Sequence, residues 1–442
     1  MGEYKMRKAA FHNLGCKVNS YETEAMQQLL EEAGYEIVPF KEGADVYIIN
    51  TCSVTNIADR KSRQMLHKAK KMNPDSAVVA VGCYVQAAGE ELKKDPAVDL
   101  IVGNNRKAEL VSILEDYFNS RMGEDPVIDI GKTHEYENLS ISRIADHTRA
   151  FIKVQDGCNQ FCSYCIIPYT RGRVRSRSLE DVVEEAGRLA DAGYSEVVLT
   201  GIHLSSYGID FPEEKKEDLL GLIKRIHQIE KIKRIRLGSL EPRIVTEAFA
   251  GELSKLSKIC PHFHLSLQSG CDETLKRMNR RYDTGEYEAC CENLRRFFDN
   301  PAITTDVIVG FPGETEEEFE QTRACLERIH FYEMHVFKYS KRQGTRAAAM
   351  ENQVPEPVKA SRSDVLLKLD ESMSKEYRLS CLGSVKEVLL EEKITINGRD
   401  YMIGHTKEYV KAVVPYEGPG QKNQLISGRL DHMLTDEIVY LV

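Results

Sequence analysis

A surplus of positive charge is missing. The 442 residues carry 60 Lys and Arg against 69 Asp and Glu, a formal net charge of −9. That excludes wholesale electrostatic attraction to nucleic acid, so any RNA contact has to use local basic patches. Also missing is an uninterrupted apolar run near the roughly 18 residues that cross a bilayer. The opening stretch, Met1-Gly2-Glu3-Tyr4-Lys5-Met6-Arg7-Lys8, lacks the apolar centre of a signal peptide. No membrane role is expected, and a cytoplasmic location is. There the 12 cysteines are reduced thiols or metal ligands rather than disulfides. The length allows two or three domains, each with its own core.

What is present is an unusual run of thiols, Cys158-Asn159-Gln160-Phe161-Cys162-Ser163-Tyr164-Cys165, with the spacing C-x3-C-x2-C. A dithiol redox pair accounts for two of them and leaves the third without a use. A zinc site wants a fourth nitrogen or sulfur ligand close by, and none stands near in sequence. Three thiolates suit a four-iron cluster that keeps one iron open for a small molecule. Ordinary core cysteines are the competing reading. The spacing, with Tyr164 before the last cysteine, resembles the signature of radical S-adenosylmethionine (SAM) enzymes.

Ahead of this tripod, strand and helix signals alternate. Lys8–Asn13 reads as a strand and Tyr21–Ala33 as a helix; strands follow at Asp45–Asn50, Ala77–Val81 and Val98–Val102, with a helix from about Asp59 to Met72. This βαβα order predicts an open parallel sheet with helices on its faces. Cys16, Cys52 and Cys83 each follow one of the first three strands. Parallel strands point the same way, so all three emerge at the carboxyl edge of one sheet, where ligand sites of such sheets lie. Scattered structural cysteines are the alternative. Small or turn-forming neighbours surround each: Leu14-Gly15-Cys16, Asn50-Thr51-Cys52-Ser53 and Gly82-Cys83.

Leu14-Gly15-Cys16-Lys17-Val18-Asn19, Asn50-Thr51-Cys52 and Gly82-Cys83, followed by the 158–165 tripod, resemble the methylthiotransferase family of radical SAM enzymes over essentially the whole chain. The resemblance implies two [4Fe-4S] clusters, an auxiliary one on Cys16, Cys52 and Cys83 and the radical SAM one on Cys158, Cys162 and Cys165. It also implies SAM as co-substrate, an electron donor such as flavodoxin or ferredoxin, a sulfur donor that the sequence does not name, and the anticodon stem-loop of a tRNA as partner. In such chemistry the tripod cluster reduces SAM to a 5′-deoxyadenosyl radical, which takes a hydrogen from adenine C2, while the auxiliary cluster presents a methylated sulfur.

Residues 119–149 are polar and irregular and read as a linker between an N-terminal domain, 1–118, and a central one, 150–375. Ala150–Gln155 is a strand that delivers the tripod, Ser178 starts a helix running to Ala192, and later strands are expected at Glu196–Thr200, Ile232–Leu237, His262–Leu267, Thr304–Val309 and His335–Tyr339. Six βα units suit the open partial (β/α)6 barrel of radical SAM enzymes, with its site at the strand C-termini. Polar and glycine motifs recur at those ends. Tyr164, Thr200, Gly201, Ser239, Glu241, Gln268, Asp306 and Gly310 are the candidate SAM contacts; turns without a ligand are the alternative. His203 and His264 read as structural histidines, since radical chemistry needs no general base. Cys260, Cys271, Cys290, Cys291, Cys325 and Cys381 lack ligand spacing and read as ordinary core thiols.

From 376 to 442 short alternating runs punctuated by glycine predict a small antiparallel, OB-like β-barrel. Its place resembles the TRAM domain, which implies RNA binding; its own charge does not. Basic residues cluster elsewhere. Arg60 to Lys71 recur on one helix, where a solvated face is the competing reading. Arg171, Arg173, Arg175 and Arg177 follow the tripod, and Arg280 and Arg281 lie after the fourth barrel strand. These six are the candidate RNA contacts. A strand with one charged face engaged in salt bridges is the alternative for the first four.

The chain is thus expected to be a transferase that inserts a methylthio group into a tRNA base. Gly172-Arg173-Val174-Arg175-Ser176-Arg177 and His264-Leu265-Ser266-Leu267-Gln268 most resemble the branch acting on N6-threonylcarbamoyladenosine beside the anticodon. The isopentenyladenosine branch carries Glu where Arg173 stands, and a third branch modifies a ribosomal-protein aspartate. A non-catalytic, metal-stabilised RNA-binding protein is the competing reading from another class.

Overall fold

Continuous apolar strands such as Val46-Tyr47-Ile48-Ile49 and Ala77-Val78-Val79-Ala80-Val81 need cover on both faces, and a parallel sheet between helices supplies it. The computed structural model describes residues 6–120, 126–142 and 148–442. The N-terminal region runs β1 (Lys8–Asn13), α1 (Lys17–Glu32), β2 (Glu36–Val38), β3 (Val46–Thr51), α2 (Asn56–Met72), β4 (Ala77–Gly82), α3 (Cys83–Leu92), β5 (Leu100–Val102) and α4 (Leu110–Phe118). Its five strands pair in parallel in the order β2-β1-β3-β4-β5. Ile48, Val79 and Val81 pack with Met26 and Leu30 on one face, and Tyr47, Ile49 and Val78 with Leu66 and Ala69 on the other. The edge strand β2 is too short to show a period, and α1 starts four residues before the apolar pattern does, because Cys16 occupies its N-cap.

The stretch expected as a linker is a packed strap over its described part. Ile130, Leu139 and Ile141 are buried, the Tyr21 hydroxyl donates to the Leu139 carbonyl at 2.7 Å, and Gln86 donates to the Ile128 carbonyl at 2.8 Å. A few apolar residues at the two ends of a polar stretch carry too short a pattern to read.

The central region follows as β6 (Arg149–Asp156), α5 (Ile167–Thr170), β7 (Arg175–Ser176), α6 (Leu179–Asp191), β8 (Glu196–Gly201), α7 (Leu219–His227), β9 (Arg234–Leu237), α8 (Glu247–Ser254), β10 (His262–His264), α9 (Asp272–Arg277), α10 (Thr284–Phe297), β11 (Ala302–Val309), α11 (Glu316–Ile329) and β12 (Glu333–Lys338). β6, β8 and β9 form one parallel run and β10, β11 and β12 another. Single bridges, Ile235 to Ile259 and Leu240 to Leu265, join the two into one open arc of six parallel strands. The two-residue β7 pairs antiparallel on the β6 edge. Outward residues such as Ile152, Val154, Leu199, Ile235, Val307 and Val309 bury against the helices in one continuous core. Capping boxes at Asp283/Glu286 and Thr315/Glu318 start α10 and α11.

A 25-residue helix, α12 (Glu356–Ser380), crosses back over β12. Beyond it β13 (Val385–Ile396), β14 (Arg399–Thr406), β15 (Lys411–Pro415), β16 (Leu425–Met433) and β17 (Val439–Leu441) close a small barrel in the order β13-β14-β15-β17-β16. All its pairings are antiparallel except β15 with β17. It is set against the starting ends of the central strands. The buried guanidinium of Arg234 donates to the Glu387 carbonyl at 2.6 Å and to that of His405 at 2.9 Å, and Arg236 donates to the Lys407 carbonyl at 2.9 Å. Among the described residues no helix is long and apolar enough to cross a membrane.

Candidate active site

β1, β3 and β4 are neighbours, and a cysteine follows each: Cys16 caps α1, Cys52 comes directly after β3, and Cys83 opens α3. Their approach is close. Gly15 has φ +108°, and a side chain there would start 3.0 Å from Cys52 Cβ and 3.2 Å from its Sγ, so only glycine fits. Asn19 ties the loops by donating to the carbonyls of Leu14 at 2.8 Å and Thr51 at 3.0 Å. Burial raises the Cys16 thiol and pushes the Cys52 thiol up to about 11, and the neighbouring thiols add to both. Thiols crowded in this way stay protonated unless a cation accepts their charge.

A positive surplus lies beside them. Arg171 donates from Nε to Cys83 Sγ at 3.3 Å, from Nη1 to Glu22 at 2.8 Å and to Asp156 at 3.1 Å, and from Nη2 to Asn19 at 2.7 Å. Lys153 reaches Glu22 and Asp156, each at 2.7 Å, and Lys107 reaches Glu22 at 3.3 Å. All these charges are buried. Burial disfavours the charge on Arg171, yet Cys83, Glu22 and Asp156 hold its pKa well above the ordinary value. Burial likewise opposes ionisation of Glu22, and Arg171, Lys107 and Lys153 reverse the balance, leaving its carboxyl far below the usual range. This network welds α1 and β5's following turn to β6 and fixes the first trio over the barrel.

It also corrects the reading of Arg171, Arg175 and Arg177 as RNA contacts. Arg175 donates to the carbonyls of Arg171 and Arg173, and Arg177 pairs with Glu185 at 2.5 Å. All three are at most 3% exposed. Burying guanidinium groups is tolerated only with partners of this quality, so they are internal struts. Arg173 alone of the four is exposed, with its guanidinium 4.6 Å over the Phe161 ring.

The second trio sits in a loop held from below. Gly157, at φ +71°, leaves no room for a side chain, which would lie 1.8 Å from the Arg173 carbonyl oxygen. Phe161 takes φ +51°. Asn279 donates to the Phe161 carbonyl at 2.9 Å and the Ser163 N–H donates to Met278 at 2.9 Å. Two donors face the sulfurs: the Gln160 N–H meets Cys158 Sγ at 3.5 Å and Arg280 Nη1 meets Cys162 Sγ at 3.3 Å. Burial pushes the Cys158 thiol up to about 11 and the Cys165 thiol higher still, with Cys162 adding to both. Arg280 is therefore a sulfur ligand's neighbour, turned inward onto Cys162 and Tyr282, and not an RNA contact; the next residue, Arg281, is exposed.

Both trios thus offer three unpaired thiols with N–H donors and excess positive charge beside them, an environment that fits thiolates bound to iron. The other six cysteines are all buried and apart from these trios. Residues 8–103 match the family described as "Uncharacterized protein family UPF0004", and residues 152–326 match the "Radical SAM superfamily". The chain is 43% identical over 409 residues to a protein of Bacillus subtilis (strain 168) named "Threonylcarbamoyladenosine tRNA methylthiotransferase MtaB", covering 92% of this chain and 90% of that one. To the "tRNA-2-methylthio-N(6)-dimethylallyladenosine synthase" of Moorella thermoacetica it is 36% identical, covering 94% and 93%. The chain belongs to the radical SAM methylthiotransferase family.

As a member of that family it is a transferase of sulfur-containing groups that uses [4Fe-4S] chemistry and SAM. The radical SAM methyltransferase TsrM from Kitasatospora setae, a solved structure, aligns with a TM-score of 0.60 over 89% of this chain and 81% of that one. At 15% identity this is a likeness of fold.

A cavity of about 240 Å³ opens between the two trios of this methylthiotransferase. Val54 and Thr55, just past Cys52, form one wall; Tyr164, Gln268, Asp306 and Ile308 form the other. Tyr164 packs edge-on against Phe311. Gln268 takes φ +71° and donates its N–H to the Asp306 carbonyl. Burial opposes ionisation of Asp306, but His264 at 3.1 Å and Ser266 at 3.1 Å keep its carboxyl below the ordinary value. Ser239 is exposed at the same mouth, Glu241 pairs with Arg243 at 2.8 Å, and Thr200 is buried beneath.

Gly201 and Gly310 do not open toward this cavity. Their missing side chains face Gln155 and Lys359, the latter within 2.3 Å, and Glu314 takes the Gly310 N–H. Their glycine is a packing requirement, which corrects their reading as SAM contacts. Burial drives the His203 pKa down to about 4, and its Nδ1 lies 2.7 Å from the Ser206 hydroxyl, a structural role. The buried partners Glu22, Lys153 and Lys107, and Arg342 after β12, which pairs with Asp59 at 2.7 Å and donates to Ser53 at 2.9 Å, carried no signal of their own in the sequence. The one available signal was Lys153 among the apolar residues Ala150, Phe151, Ile152 and Val154.

Proposed function

We propose that this methylthiotransferase acts on N6-threonylcarbamoyladenosine next to the anticodon of tRNA, placing a methylthio group at C2, and that each thiol trio holds a [4Fe-4S] cluster. The observation that carries the reading is a cavity lined from both sides, by Val54 and Thr55 beside Cys52 and by Tyr164 beside Cys165. Hydrogen abstraction from the base and the methylated sulfur it receives are what the clusters and SAM supply when bound. The chain's own part is placement. Gly15 lets backbone come close to Cys52, Gly157 lets the tripod loop pack on the Arg173 carbonyl, Arg171 and Arg280 stabilise thiolate charge, and the buried network around Glu22 keeps the two trios in register while excluding water.

RNA docks outside this chamber. The exposed face of α2 presents Arg60, Arg63, His67, Lys68 and Lys71 around one surface hollow. Arg173 on Phe161, with exposed Tyr169 6.0 Å from that ring, adds aromatic surface near the tripod. Phosphates on the first and unstacked bases on the second are what an anticodon loop brings. The reading also calls for a one-electron donor of the flavodoxin or ferredoxin type and for a cytoplasmic location, where tRNA and reduced thiols coexist. The higher identity to the threonylcarbamoyladenosine enzyme than to the dimethylallyladenosine one supports the choice of nucleoside.

Nucleoside mass spectrometry of tRNA from cells lacking the gene tests it. Loss of the methylthio derivative of threonylcarbamoyladenosine is expected; loss from isopentenyladenosine alone moves the enzyme to the sister branch. Anaerobically purified protein should be brown and carry about eight irons per chain. A colourless zinc protein rules out the chemistry.

A further inference from the structure

The starting ends of the barrel strands hold one positive charge too many. Arg149 pairs with Glu391 at 2.8 Å, Arg234 with Glu387 at 3.1 Å and Arg236 with Glu196 at 2.7 Å. Lys17, the residue after Cys16, stands in electrostatic range of Arg236, Arg149 and Glu196. Four cations thus meet three carboxylates. Lys17 is the odd one: among the described residues its ammonium makes no hydrogen bond and no ion pair, and its side chain is accessible.

A second group beside it lacks a partner. His262, 9% exposed, stacks on Tyr409 at 4.9 Å and has an Nδ1 that bonds to nothing; Lys17 is among the charges acting on this ring. His262 and His264 share a strand face, and His264 pairs with Asp306, which lines the cavity between the trios. Lys17 thus stands one residue from a thiol of the first trio, and His262 two residues from the histidine that holds the cavity-lining Asp306. A cation left unpaired among guanidinium groups is unfavourable until an anion arrives from outside.

We propose that Lys17 is a specificity-determining residue that receives the carboxylate of the threonylcarbamoyl group, with His262 Nδ1 completing the polar lining. The proposal rests on the nucleoside assignment above. The geometry of the base agrees with it: only N1 separates C2 from C6 in adenine, so a base that presents C2 to a sulfur at the first trio carries its N6 substituent on the same edge, within reach of the residue next to Cys16. An isopentenyl group offers Lys17 nothing and would bury it unpaired, so the same residue selects for one nucleoside and against the other.

The test is fluorescence anisotropy with the anaerobic holoenzyme. The probes are anticodon stem-loops carrying adenosine, isopentenyladenosine or threonylcarbamoyladenosine at the modified position. The wild type should bind the threonylcarbamoyl loop about tenfold or more tighter than the adenosine loop, the scale of one charge-assisted contact. Lys17→Met should bring that ratio close to one, while Lys17→Arg keeps most of it. An unchanged ratio in Lys17→Met overturns the lysine's role and leaves the nucleoside assignment standing. A wild type that prefers the isopentenyl loop overturns both. Iron content of Lys17→Met checks its integrity; if it falls, Lys17→Gln, which keeps a polar head, is read by the same ratio.

Discussion

Cys158, Cys162 and Cys165 share one loop, whereas Cys16, Cys52 and Cys83 come from the ends of three separate strands. The loop trio is shaped by its own backbone, through Gly157, Phe161 and a few hydrogen bonds from the 276–280 turn. The strand-end trio owes its place to a sheet and to a buried charge network that spans two regions of the chain. Local geometry survives distant damage; assembled geometry does not. The difference can be sharpened by experiment.

The largest effect is expected from the thiols themselves. Cys158→Ser and Cys83→Ser should each abolish methylthiolation, and each should leave about four irons per chain, one cluster's worth, measured by iron assay on anaerobic protein. Retention of all iron in either variant contradicts the ligand assignment. Next comes Arg171→Met, which takes from Glu22 its main partner and from Asp156 one of its three. It should cost about 3–5 kcal/mol in urea unfolding and remove iron from the strand-end trio first, leaving the loop trio's spectrum in place. Equal loss from both trios would erase the contrast.

The pH dependence is smaller and has a defined sign. The Glu22 and Asp156 carboxyls are both depressed in the folded chain, so their stabilisation is present above the unfolded carboxylate range near pH 4 and lost as pH falls below it. Glu22→Gln should therefore lower Tm at pH 7, and the gap to the wild type should narrow toward pH 3. A gap constant with pH sinks this account. Smallest is Arg173→Ala at the loop trio's rim. It should weaken stem-loop binding a few-fold and reduce the salt slope of log K by roughly 0.7 to 0.9, as for one phosphate contact, with iron content unchanged.

Much of the site was readable because its signals are local. The C-x3-C-x2-C spacing is visible in eight residues, and the placement of Cys16, Cys52 and Cys83 follows from strand direction alone. The arginines of 171–177 misled for a physical reason. An Arg-x-Arg-x-Arg run looks the same whether it faces phosphate or buried carboxylate, and the carboxylates, Glu22, Asp156 and Glu185, lie on other elements. Gly201 and Gly310 misled likewise, since a glycine's empty side can face a ligand or a neighbouring side chain. The strap at 126–142 and the edge strand β2 hold too few apolar residues to show a period. The core strands were legible to within two or three residues for the opposite reason, except that β10 ends at His264, where the chain leaves regular pairing for the cavity wall.

The small C-terminal barrel has a further meaning for traffic. Its seat on Arg234 and Arg236 covers the starting ends of the central strands, the end away from the sulfurs. On the proposed reading, a nucleoside that enters from the sulfur side meets that cover and leaves by the path it took, so release of the modified RNA would come before the next molecule enters.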